Sequence, residues 1–102
     1  MNMSSYNCCQ PNTNEFKQVS ELSILLKLVG EESRLKLLCL LRQGEHCVHE
    51  MLEHFDMSQS LVSHHLSDLK EVDLITDRKD GRQVFYSLTE KGQKIINNIF
   101  SL

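Results

Sequence analysis

The hydrophobic period of this chain changes partway along, and that change limits the folds open to it. Up to Asp73, apolar residues recur three and four positions apart, the spacing of helices that each bury one face. From Leu74 the pattern shortens. Leu74-Ile75-Thr76 and Gln83-Val84-Phe85-Tyr86-Ser87-Leu88 read as two strands around the charged tip Asp77-Arg78-Lys79-Asp80-Gly81-Arg82. Asp80-Gly81 is a favoured pair for a hairpin turn. Beyond Thr89 the helical spacing returns through Ile95, Ile96, Ile99 and Phe100. The predicted order is α-α-α-α-β-β-α, a mainly α chain with one small β-hairpin.

The first helix is predicted over residues 16–29, with Val19, Leu22, Leu25, Leu26 and Val29 as its stripe and Gly30 as its stop. Ser33 reads as the N-cap of a second helix over 34–42, ended by Gly44. Leucines at 35, 37, 38, 40 and 41, with Cys39 among them, place that helix in the middle of the core. A third helix over 48–54 turns Val48, Met51, Leu52 and Phe55 inward. After Asp56-Met57, Ser58 caps a fourth over 59–70 that buries Leu61, Val62, Leu66 and Leu69. Two such helices joined by a short turn form a helix-turn-helix. With the hairpin behind it, residues 16–102 read as one helix-turn-helix domain with a β-wing, preceded by a polar, flexible arm over 1–15.

The net charge of −3 argues against indiscriminate coating of nucleic acid. Residues 1–57 carry five Lys and Arg against eight Asp and Glu, whereas 58–102 carry six of each, with a locally basic hairpin. A domain of 102 residues buries a modest share of its surface and gains from a second copy. No stretch reaches the roughly 18 apolar residues of a membrane span, and the first residues lack the pattern of a secretory signal, so a cytoplasmic protein is expected. Cys8, Cys9, Cys39 and Cys47 lie in the first half, two of them adjacent, unlike a disulfide framework. In a reducing compartment they read as buried apolar groups, metal ligands or redox sensors.

The segment Ser58-Gln59-Ser60-Leu61-Val62-Ser63-His64-His65-Leu66 carries the functional argument. Between its apolar members, Gln59, Ser60, Ser63 and His64 form a short polar face with no acid. Small side chains admit close approach to a major groove, and Gln, Ser or His can bond base edges or phosphates. A solvated helix face would have a similar composition. What favours the groove is the cationic wing just downstream, Arg78, Lys79 and Arg82, placed to grip the flanking backbone. Asp77 and Asp80 interrupt that patch, so its pull is modest and salt-sensitive.

Three segments resemble the ArsR/SmtB family of winged-helix repressors: Gly30-Glu31-Glu32-Ser33-Arg34-Leu35-Lys36-Leu37-Leu38, Met57-Ser58-Gln59-Ser60-Leu61-Val62-Ser63-His64-His65-Leu66, and Asp80-Gly81-Arg82-Gln83-Val84-Phe85-Tyr86-Ser87-Leu88. The resemblance spans about residues 17–100. It implies a homodimer built from the first and last helices, double-stranded DNA bearing an imperfect inverted repeat as partner, and release when an inducer binds or a thiol is modified. The physics agrees, since apolar stripes on both terminal helices joined across a two-fold would set the recognition helices about one DNA turn apart.

Family members sense different signals at different places. One site uses acids and histidines of the last helix; residues 89–102 hold Glu90 but no His or Asp, so that site is absent here. Another uses cysteines at the start of the third helix with ligands from the arm. Its counterpart is Glu45-His46-Cys47-Val48-His49-Glu50, with Cys8 and Cys9 in the arm. Cys8, Cys9, Cys47 and His49 would offer three thiolates and an imidazole, a set for a soft or borderline ion such as Zn, Cd or Pb, and three thiolates alone suit As. Residues two apart on a helix point about 200° from each other, so Cys47 and His49 converge only if the helix begins between them. Cys47 with Glu50, or His46 with Glu50, are alternative pairs. The alternative is thiol redox sensing: members that respond to persulfide or oxidant resemble this chain at Cys39, but their second cysteine near the end of the last helix has no counterpart. Cys39 would need Cys8 or Cys9 as partner and otherwise reads as a small core residue.

An enzyme would need more than the chance pairs Cys47 with His49 or Ser63 with His64 and His65. It would need an oriented base, an oxyanion hole and a pocket, and no Gly-rich phosphate loop or paired acids occur. A non-enzymatic repressor is expected; a winged helix used only for protein contacts is the rival, and it would show no salt-dependent retention on DNA.

Overall fold

A computed structural model describes residues 14–102. The elements run α1 (Asn14–Val29), α2 (Glu32–Arg42), β1 (His46–Cys47), α3 (Val48–His54), α4 (Gln59–Glu71), β2 (Ile75–Asp80), β3 (Gln83–Leu88) and α5 (Glu90–Phe100). This is the expected winged helix-turn-helix with one addition, the two-residue strand β1. Helix α1 starts at Asn14, so the last residues of the expected arm are already helical; the rest of that arm, with Cys8 and Cys9, lies outside the described residues.

Two helix starts follow the sequence reading. Ser58 accepts from the N–H of Leu61, and Thr89 from that of Gly92. A third departs from it. The N-cap of α2 is Glu31, not Ser33: its carboxylate accepts from the N–H groups of Ser33 and Arg34, so Ser33 already lies in the helix. A carboxylate at this end also meets the positive pole of the helix, which a hydroxyl cannot match.

Helix α4 ends where the hydrophobic period changes. Asp73 adopts φ 62°, the left-handed conformation that an Asp tolerates better than most residues. The N–H of Leu74 then reaches back to the Leu69 carbonyl and that of Asp73 to the Lys70 carbonyl. Buried Leu69 and Leu74 complete this terminating motif and send the chain into β2.

The sheet order is β1-β3-β2, antiparallel throughout. Asp80 pairs with Gln83, leaving a loop of only Gly81-Arg82. Gly81 takes φ 64°, which the first residue of such a loop requires. The tip is therefore shorter than the sequence suggests, and Arg78 and Lys79 belong to β2. In the core, Leu37, Leu38, Leu40 and Leu41 of α2 pack with Met51, Val62, Leu66, Leu69, Leu74, Ile75 and Ile96. Cys39 is half-buried at its edge. Gly92 lets α5 approach this core: a Cβ there would lie 2.0 Å from the Leu74 carbonyl oxygen.

Candidate nucleic-acid interface

Helix α4 has two unlike faces. Its back buries Val62, His65, Leu66 and Leu69, while Gln59, Ser60, Ser63 and His64 are all exposed on its front. Leu61, expected inside, is 39% exposed and joins the front instead. With Ser58 as cap and no acid in the first turn, the exposed end of α4 is polar and free of negative charge.

The wing cations differ among themselves. Arg78 donates to the Glu45 carboxylate at 2.7 and 2.6 Å, lies over the Phe85 ring and stands 3.6 Å from Asp80. The forked hydrogen bond with Glu45 holds that carboxyl below its ordinary value and raises the guanidinium. Arg78 thus ties β2 to the residue before β1. Lys70 of α4 likewise meets Asp77 of β2 at 2.9 Å. Among the described residues Lys79 and Arg82 make no ion pair, and both are exposed. Of the three wing cations, these two are the ones with charge to spare for a phosphate.

At the start of α3, Cys47 is buried and takes the N-cap position. Its N–H donates to the Glu50 carboxylate at 3.0 Å, and hydrogen bonds from the backbone and side chain of Cys47 keep that carboxyl below its ordinary value. His49 is exposed and directed to Glu53, 3.1 Å away. Both border a shallow cleft beside β3. No group of three or more potential metal ligands occurs among the described residues. No helix there is long and apolar enough to cross a membrane.

Sequence reasoning missed the burial of His65 and its partners. His65 sits three residues after Val62 and four before Leu69, on the buried stripe, and that spacing was a legible signal. Its partners Glu31 and Arg34, on another helix, were not. The sequence profile described as "Bacterial regulatory protein, arsR family" matches residues 31–77, which hold α4 and the Glu31–Arg34 turn. The chain is 47% identical over 68 residues to the arsenical resistance operon repressor of Staphylococcus aureus, covering 67% of this chain and 65% of that protein, just under two thirds of its length. It is 43% identical to the repressor of the same name from Staphylococcus xylosus, over 76% of this chain and 74% of that one. The solved structure of HlyU from Vibrio cholerae N16961 superposes with a TM-score of 0.75 at 32% identity, over 83% of this chain and 94% of that one. A polar-fronted helix, a cationic two-residue wing loop and these matches converge: the chain belongs to the ArsR family of bacterial regulatory proteins, which are DNA-binding transcriptional regulators and not enzymes.

Proposed function

We propose that the protein is a homodimeric transcriptional repressor that holds an inverted-repeat operator in double-stranded DNA and releases it when a thiol-seeking metal or metalloid ion binds. The observation that carries this reading is the division of α4 into a buried back and a front of Gln59, Ser60, Ser63 and His64. Small polar side chains on a firmly seated helix are what base-edge contact in a major groove needs. Lys79 and Arg82 would neutralise flanking phosphates, and the cytoplasm is where such DNA is met. The dimer is supported by α1, whose Phe16, Val19, Leu22, Ile24 and Leu26 are exposed, together with Phe100 of α5. Exposed apolar side chains on both terminal helices support a contact with a second copy.

For the inducer, the described residues contribute one buried thiol, Cys47, and no finished ligand set. Cys8 and Cys9 would complete three thiolates, a set suited to trivalent arsenic, in keeping with the names of the two staphylococcal relatives. His49, engaged by Glu53, would have to turn to join them.

The test is footprinting on DNA upstream of the protein's own coding region. Replacing Ser63 and His64 together by Ala is expected to abolish protection while sedimentation still shows a dimer; normal protection would remove the α4 front from the reading. Arsenite, Zn, Cd and Pb are then titrated against the complex and against its Cys47→Ser variant. Equal release from both would discard Cys47.

A further inference from the structure

The back of α4 contains a polar circuit that the DNA-facing surface does not use. His65 is only 5% exposed. Arg34 Nη1 donates to its Nδ1 at 3.3 Å. A guanidinium has donors only, so Nδ1 carries no proton and the neutral ring holds its hydrogen on Nε2. That nitrogen faces the Glu31 carboxylate at 3.6 Å. Glu31 in turn accepts from the N–H groups of Ser33 and Arg34, at 3.1 and 3.0 Å, closing the loop.

Arg34 reaches further. Its Nε donates to the Leu28 carbonyl in the last turn of α1 at 2.5 Å. Its Nη1 stands 3.9 Å from Asp68, whose carboxylate lies 3.5 Å from Nε2 of His64 on the exposed front. One side chain therefore links the end of α1, the start of α2 and both faces of α4. Burial first, then the nearby Arg34 and His64, push the His65 imidazole below its ordinary value, against the pull of Glu31 and Asp68. The ring thereby stays an acceptor for Arg34.

We propose that Arg34 and His65 are positioning residues for DNA recognition: together they set the angle of α4 against α1 and, through Asp68, the direction of the His64 imidazole. This rests on the reading of α4 as the groove-facing helix and of α1 as part of the dimer contact. Gln59 lies about 9 Å along α4 from His65, so a tilt of about 10° there moves Gln59 by about 1.5 Å, more than a base-edge hydrogen bond tolerates. The circuit grips α4 at His65 and Asp68, whereas the ridge begins at Gln59, so an error in angle is largest where bases are read.

The test compares Arg34→Met, His65→Leu and His65→Asn on operator and random duplexes. Asn can place an acceptor where Nδ1 stood; Leu cannot. For Arg34→Met and His65→Leu, operator affinity is expected to fall about tenfold or more, random-duplex affinity less than about twofold, and the salt slope to stay unchanged because no phosphate contact is removed. His65→Asn should retain most of the operator preference. Equal losses on both duplexes, or a reduced salt slope for Arg34→Met, would overturn the proposal. Residual dipolar couplings of the free proteins read the α1–α4 angle without DNA. An angle shifted in Arg34→Met and His65→Leu but kept in His65→Asn supports it, and an unchanged angle in all three sinks it. If the wild-type chain prefers no duplex, the DNA reading of α4 fails while the angle still decides the positioning role.

Discussion

The back of α4 and the outer face of α1 differ in how far one chain alone can satisfy them. On α4, Val62, Leu66 and Leu69 are buried, and the polar intruder His65 has a partner at each ring nitrogen. On α1 only Val29 is buried, while Val19 and Leu26 remain 46% and 59% exposed. On the reading proposed above, the helix that would meet DNA is finished by its own domain, and the helix that would join two copies is left for another surface to finish. A helix draws most of its stability from packing its apolar face, so α1 should depend on association and α4 should not.

That contrast can be broken from either side. Leu66→Ala, which opens a cavity behind α4, should cost about 2–5 kcal/mol in chemical denaturation whatever the protein concentration. Leu26→Asp should leave α4 seated but give a monomer by sedimentation, and the loss of paired half-sites should reduce operator affinity about a hundredfold or more. A Leu26→Asp dimer would move the interface elsewhere.

Acid sharpens the contrast. The pKa of His65 in the folded state is below its ordinary value of 6.5, chiefly because the ring is buried. The unfolded chain therefore binds the proton more readily, and stability falls as pH drops from 6.5 toward the folded value, with no change above it. Glu31, held below its ordinary 4.5 by the N–H groups it caps, adds a further loss beneath that pH. Melting temperature against pH should show the first decline in the wild type and a weaker one in His65→Asn. A flat profile between 6.5 and 5, roughly, would mean that the ring is not desolvated.

The smallest effect concerns the wing. Arg82→Ala should lower the slope of log affinity against log salt by about one on every duplex. Arg78→Ala should leave the slope nearly unchanged, because Glu45 already matches that charge. Equal changes would show that Arg78 leaves Glu45 when DNA arrives.

Much of this architecture is local and could be read from neighbouring residues. Ser58 and Thr89 cap the helices they precede, α3 runs over Val48–His54 as spaced, and the order of helices and hairpin follows the hydrophobic period. What could not be read depends on distant partners. Strand β1 has two residues, too few to show alternation, and exists because β3 lies beside it. Glu31 displaces Ser33 as the cap, and Arg78 is held by a residue 33 positions away. The exposed polar ridge of α4 was legible because periodicity decides which residues face away from a core. A ligand set around Cys47 was not legible, because ligand geometry depends on how separate segments meet.

Strand β1 has a mechanical consequence. His46 and Cys47 pair with Tyr86 and Phe85 of β3, whose other edge carries β2. The buried thiol and the hairpin thus share one hydrogen-bonded ladder, with no flexible joint between them. A backbone shift at Cys47 would therefore be felt first at Phe85, on the strand that also carries β2.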